Sequence, residues 1–319
     1  MERSTTAANP RPPAPASTGA TSAPPLIVLG EAEWRERERA HAERVAPWTR
    51  GRLERRRRGK AHPIDDFLFD YYPYSVAKLL AWHPGHGTAL AGPGADRFLD
   101  DRHYVRGAEG VWADPSLAGG KRARMQLALE VLEGTASRQP SYACFGMHEW
   151  AMVYGTDPGD VRHAGSTPLR LSPAEVRGTV DAVGLRCTHF DACRFFTEEA
   201  APLNQIAPTR ELQPHFEQPG CVHANMDLYK YAMWCAPYLA SELVADCFAL
   251  ARRAREVDMR ASPYDLSGLD RSPIRVETPE GRREYVLHQR ALTEEGAGLR
   301  MRLIGAIEGL TRHGSAPAS

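Results

Sequence analysis

Along most of this chain apolar residues return every three or four positions and strict alternation is almost absent, so the pattern predicts a mainly α fold with little β. The clearest boundary is Ser172-Pro173-Ala174-Glu175, a capping box with proline in the first turn. It predicts a helix through Val176, Val180 and Val183 that stops at Gly184. Leu243, Val244, Cys247, Phe248 and Ala251 form one apolar face behind Ser241, the expected N-cap. Met125, Leu127, Leu129 and Leu132 mark a helix over 121–133, and two more are expected over 142–153 and 223–235. Thr278-Pro279-Glu280 opens the last helix, expected to reach about residue 310 with a break near Gly296.

Polar patterning fills in the rest. From Glu31 acidic and basic residues stand four apart, as on a surface helix, and this helix runs into the basic stretch 50–60. Pro63, with Asp65 and Asp66 behind it, predicts a helix over 63–71, because proline suits the first turn and carboxylates suit its positive end. Strand is expected only at Leu171 and over 274–277. Residues 73–119 mix aromatics with Gly and Pro and are expected to be loops with short helices or strands.

Composition bounds the architecture. The chain has 319 residues, 42% hydrophobic and 25% charged, which suits one globular helical domain over 26–312. Proline-, alanine-, serine- and threonine-rich residues 1–25 and the thin end 313–319 are expected to be disordered. Lys+Arg and Asp+Glu balance at 40 each, so no global field draws the protein to nucleic acid or an anionic membrane, and such a partner needs a local patch. Six cysteines without a regular framework read as reduced thiols. With no apolar leader and no apolar run long enough to span a bilayer, the expected location is the cytoplasm, with no membrane partner.

Four histidines sit beside carboxylates: His62, His148, His189 and His223. His62/Asp66 and His223/Asp227 are four residues apart, a spacing that on a helix lets both side chains reach one cation. His189 with Asp191, and His148 with Glu149, extend the set. Imidazole with carboxylate suits iron, zinc or manganese, so the expectation is a divalent metal held by His62, Asp66, His148, His189, Asp191, His223 and Asp227. Glu149 or Asp65 is left as acid–base group. Tyr71, Trp150, Asn225 and Tyr229 are expected to wall a pocket for a small or nucleobase-like substrate. Together these features predict a metal-dependent oxygenase or hydrolase. The competing expectation is a non-catalytic helical binding protein whose histidines are caps and buried hydrogen bonds.

The stretches 62–75 (HPIDDFLFDYYPYS), 144–154 (CFGMHEWAMVY), 186–196 (RCTHFDACRFF), 218–232 (QPGCVHANMDLYKYA) and 258–266 (DMRASPYDL) resemble those of an actinobacterial family commonly labelled 3-methyladenine DNA glycosylase. That resemblance implies the alternative activity, excision of alkylated bases in DNA repair; it assigns no catalytic position, and the carboxylates this sequence offers for it are Asp66 and Asp191, acting without metal. DNA phosphates would then meet Arg55, Arg56, Arg57, Arg58 and Lys60. Glycosylases of that activity are similar to a helix-hairpin-helix fold, and no hairpin of the type L-P-G-V-G occurs in this sequence.

Overall fold

Strand β1 (Ile27–Leu29) leads directly into α1 (Glu31–Arg57) in a computed structural model that describes residues 27–157, 159 and 167–313. The disorder expected over 1–25 and past 313 lies outside the described residues. On α1 the buried residues Trp34, His41, Val45 and Thr49 make one narrow stripe, and the charged remainder faces water, as its patterning predicts. Arg55, Arg56 and Arg57 fall in its last turn, where the helix dipole favours cations. Two short helices follow, α2 (Phe67–Tyr71) and α3 (Val76–Leu80). Residues 63–66 ahead of α2 form a turn, so the helix expected over 63–71 is confined to its second half.

The stretch that sequence left undivided holds most of the sheet: β2 (Thr88–Leu90), β3 (Tyr104–Gly107) and β4 (Gly110–Ala113). The order is β1-β2-β4-β3, with β1 parallel to β2 and the other pairs antiparallel. Strands of three or four residues are too short to display an alternating pattern, which is why the sequence hides them. Neither of the strands expected at 171 and 274–277 forms. Leu169 instead makes an isolated bridge to Tyr264, and 274–277 enters the last helix as coil and turn.

The helical body comprises α4 (Arg122–Ala136), α5 (Met147–Ala151), α6 (Pro173–Val183), α7 (Phe190–Cys193), α8 (Gln213–Phe216), α9 (Val222–Cys235), α10 (Ser241–Ala261) and α11 (Pro279–His313). The whole is mainly α and one domain. The capping box of α6 is complete, with Gly184 ending the helix. Ser241 is the first helical residue and not the cap of α10. Its Oγ accepts from the His83 amide and donates to the Ala81 carbonyl, so it ties α10 to the sheet side.

Helix α9 is the centre of the body. Only Lys230 and Trp234 of its residues are less than buried, so it carries apolar side chains on every face and is enclosed by α4, α10 and α11. The expected break at Gly296 does not occur, and α11 runs unbroken for 35 residues. Gly296 serves a close crossing instead. A Cβ there would stand 2.1 Å from Asn225 Oδ1 on α9, and Asn225 is itself held by the Pro219 and Cys221 carbonyls and by Arg300. Gly296→Ala should therefore destabilise the protein by about 1–3 kcal/mol, although alanine is the better helix former. A urea unfolding midpoint equal to or above that of the wild type would contradict this.

Candidate metal centre

Three of the four histidines converge. His148 sits on α5, whose start is set by Phe145 and Gly146 in the left-handed region at φ 50° and 72°. This kink shortens the helix expected over 142–153 and turns His148 inward. A Cβ on Gly146 would already lie 3.2 Å from Ala261, so the close approach and the φ value both favour glycine. His189 precedes α7, and His223 lies in the first turn of α9. The ring of His223 stands 4.4 Å from that of His148, edge to face, and 5.1 Å from that of His189, nearly parallel. All three are buried.

Each outer histidine is anchored by a carboxylate. His148 Nε2 is 2.7 Å from Asp258 Oδ1 on α10, and its Nδ1 faces the Cys144 thiol at 3.9 Å. His189 Nε2 is 3.1 Å from Asp227 Oδ2 and 3.3 Å from Glu217 Oε1. Burial alone would lower both imidazoles. The charge and hydrogen bond of Asp258 reverse this and hold His148 well above the usual histidine range, while Glu217 and Asp227 raise His189. His223, between them, is driven well below that range by burial and by the positive charge of His148. It is a neutral imidazole, and its Nδ1 is buried without a hydrogen-bond partner, as is that of His189.

A buried arginine and a half-buried lysine complete the network. Arg255 donates to Glu149 Oε1 at 2.7 Å and to Asp258 Oδ2 at 2.9 Å, and its guanidinium lies 3.8 Å from the centre of the Phe67 ring. Lys230 pairs with Asp227 and approaches Asp191 at 3.6 Å, where Arg210 also donates at 2.7 Å. Tyr72 donates its hydroxyl to Asp227 Oδ1 at 2.6 Å. Every carboxylate of the network thus has a positive neighbour, as buried charges require.

Among the described residues three groups present donor atoms within 4.8 Å of one another: Cys144/His148/Cys187, His148/His223/Asp258 and His189/Glu217/Asp227. In the last group Lys230 already occupies the place of a cation. The middle group retains a neutral imidazole with an unpartnered nitrogen and borders a cavity of about 550 Å³. Two nitrogens and a carboxylate oxygen suit zinc, iron or manganese.

That cavity has a flat aromatic wall in Phe67 and Tyr71, whose rings stack at 5.0 Å, and Tyr264, Glu149, Asp191 and Arg255 also line it. Of the expected walls, only Tyr71 is part of it. Trp150 is buried in the core, with its indole N–H donating to the Ala261 carbonyl. Tyr229 packs against Tyr72, Tyr74 and Phe248. Asn225 stitches α9 to α11.

His62 and Asp66 belong to none of the three donor groups. His62 Nδ1 accepts the amides of Ile64 and Asp65, and Asp66 is gripped by Arg55 through three contacts of 2.5–3.2 Å and by the His62 amide. The four-residue spacing here therefore builds a helix start and an arginine clamp, and His62 stands at the cavity lining only. Asp65 lies 3.4 Å from Arg252 beside a different, smaller cavity that Glu149 does not line. With Arg55 engaged by Asp66, Arg56, Arg57, Arg58 and Lys60 of the basic run are left exposed.

Sequence reasoning missed Asp258, Arg255, Glu217 and Lys230. A signal for two pairs was present. Arg255/Asp258 and Asp227/Lys230 are opposite charges three apart, within helices whose surrounding positions are apolar. Compared with protein-family models, with curated proteins and with solved structures, the chain matches none of them.

Proposed function

We propose that this protein is a metal-dependent enzyme in which His148, His223 and Asp258 hold one divalent cation at the inner side of the aromatic cavity. The observation that carries this reading is His223: neutral, buried, with an unpartnered ring nitrogen, between two histidines and beside the pocket. The ion would supply Lewis-acid chemistry to a bound substrate. The chain's own residues do the rest. Phe67 and Tyr71 offer a face for a planar, weakly polar or nucleobase-like substrate, and Arg255 fixes the Glu149 carboxylate at the cavity wall. There Glu149 is placed to accept or return a proton, and Asp191, flanked by Arg210 and Lys230, marks the polar end of the site.

The test is metal uptake by untagged, chelator-stripped protein, followed by calorimetry with zinc and manganese. One equivalent is expected in the wild type and none in His223→Gln, with circular dichroism unchanged. Affinity should fall as the pH drops, because His148 must release its proton to act as a ligand. A stripped wild type that takes up no ion, or a His223→Gln variant that takes it up equally, would end this reading.

A second reading, base excision from alkylated DNA, draws on the same flat wall, with Asp191 as the carboxylate in the cavity and the exposed Arg56, Arg57 and Arg58 near phosphates. Release of free base from methylated DNA by the wild type, metal-independent and lost in Asp191→Asn, would favour it over the first.

A further inference from the structure

A second cavity, of about 460 Å³, opens where α3, the loop before β3, the start of α4 and the end of α9 meet. Lys78, Arg102 and Lys121 line it, and none of the three has an ion-pair partner among the described residues. Asp101 is the lone carboxylate of the lining, and its Oδ1 accepts the His103 amide at 3.0 Å. Two histidines in the wall are held neutral and add no charge. His83 is pushed down to about 4 by burial, with its Nδ1 at 3.0 Å from the Tyr104 hydroxyl, and His103 is also lowered by burial, with its Nδ1 at 2.8 Å from the Tyr238 hydroxyl. The pocket therefore carries three cations against one anion.

The surroundings sharpen this imbalance. Lys121 immediately precedes α4, which continues with Arg122 and Arg124 and has no acidic residue in its first turn. Cations at the positive end of a helix dipole are the reverse of the usual arrangement. Burial, with Lys78 and Arg124 adding repulsion, lowers the Lys121 pKa. Elsewhere on this molecule arginines are paired generously, as at Arg35, Arg97, Arg170 and Arg253. Arg56, Arg57, Arg58 and Lys60 are also without ion-pair partners among the described residues, but they stand on an open helix end and line none of the cavities described, whereas these three cations share a recess. Folding alone gives no return for that grouping, but a bound anion would.

We propose that this cavity binds the phosphate of a small phosphomonoester, held by Lys78, Arg102 and Lys121. A net charge of about two positive matches a phosphate dianion better than a carboxylate. Ala77, Ala81, Met233 and Pro237 give the rest of the ligand an apolar wall, in a volume suited to a small molecule. The site shares no lining residue with the histidine cavity, so it stands or falls independently of the metal reading.

The experiment is calorimetry of the full chain with inorganic phosphate, phenyl phosphate and benzoate. Phenyl phosphate is expected to bind one to one and more tightly than benzoate. Lys121→Gln and Lys78→Gln should each weaken it by about tenfold, while Arg57→Gln, in the basic run of α1, and His223→Gln leave it unchanged. Lys121→Gln removes repulsion, so its melting temperature should match or exceed that of the wild type. Lys78 is exposed, so its variant tests the site even if Lys121→Gln misfolds. Absence of phosphate binding by the wild type, equal loss in Arg57→Gln, or tighter binding of benzoate would overturn the proposal. Binding of a short duplex oligonucleotide that Lys121→Gln abolishes would overturn it in favour of a nucleic-acid surface.

Discussion

Arg255→Met will cost about 3–5 kcal/mol of stability, a large part of the roughly 5–15 kcal/mol that holds a domain of ordinary size together. The guanidinium is buried and bridges Glu149 and Asp258, two carboxylates contributed by different helices. Burial opposes its charge, and the two carboxylates more than offset that and raise its pKa. Methionine fills a similar volume but leaves both carboxylates facing each other in a low-dielectric interior. Adding Glu149→Gln should recover part of the loss, since it removes one of the stranded charges. Arg255→Lys should fall between, because an ammonium cannot bridge both oxygens as a planar fork does. Urea unfolding of the wild type, Arg255→Met, Glu149→Gln and the double variant near neutral pH closes the cycle. A single-variant loss below about 1 kcal/mol would mean that the bridge is not what holds α5 to α10.

Asp258→Asn should have a comparable effect, with a pH signature of its own. His148 is raised above its ordinary 6.5, so the pair's contribution is complete below that pH and is lost as the pH climbs through the folded-state value. Asp258 is lowered below its ordinary 3.8: burial opposes the shift, while the charge and hydrogen bond of His148 outweigh it. Its contribution is complete above 3.8 and is lost as the pH falls through the lowered value. Stripped wild type should therefore gain most from the pair between these flanks. In Asp258→Asn the charge that raises His148 is gone and burial dominates, so the imidazole should become neutral near neutral pH and the basic flank should vanish from the stability profile. The same variant should lose metal uptake. An NMR titration of His148 that stays elevated in Asp258→Asn would contradict this account.

Much of the scaffold was legible because helices advertise themselves locally. The capping box at Ser172, the apolar face beginning at Leu243 and the Thr278-Pro279 start all became helices with nearly the expected limits. The sheet was not legible, since strands of three or four residues gain their order from partners far along the chain. The shortened helix at 147–151 turns on a left-handed pair, Phe145 and Gly146, which periodicity cannot register. Ser241 and Gly296 carried the usual local signals of a cap and a break, and neither feature formed. Each was overridden by a contact with another segment.

From sequence alone came a mainly α chain, its longer helices in nearly the right places, and histidines beside acids as the residues to watch. The two four-residue pairs looked equivalent there, because spacing on a helix says only that two side chains share a face. Their difference is tertiary. Asp66 meets Arg55 and closes a structural clamp, whereas His223 and Asp227 lie on the buried central helix, where His148, His189 and Asp258 arrive from distant segments. Burial lowers all three imidazoles, Asp258 reverses this at His148 and Glu217 with Asp227 at His189, and His223 is left neutral beside the cavity. Local periodicity depends on neighbours a few residues away, so sequence could specify it. Charge state and convergence depend on which groups meet after the chain has packed, and that is settled by the fold.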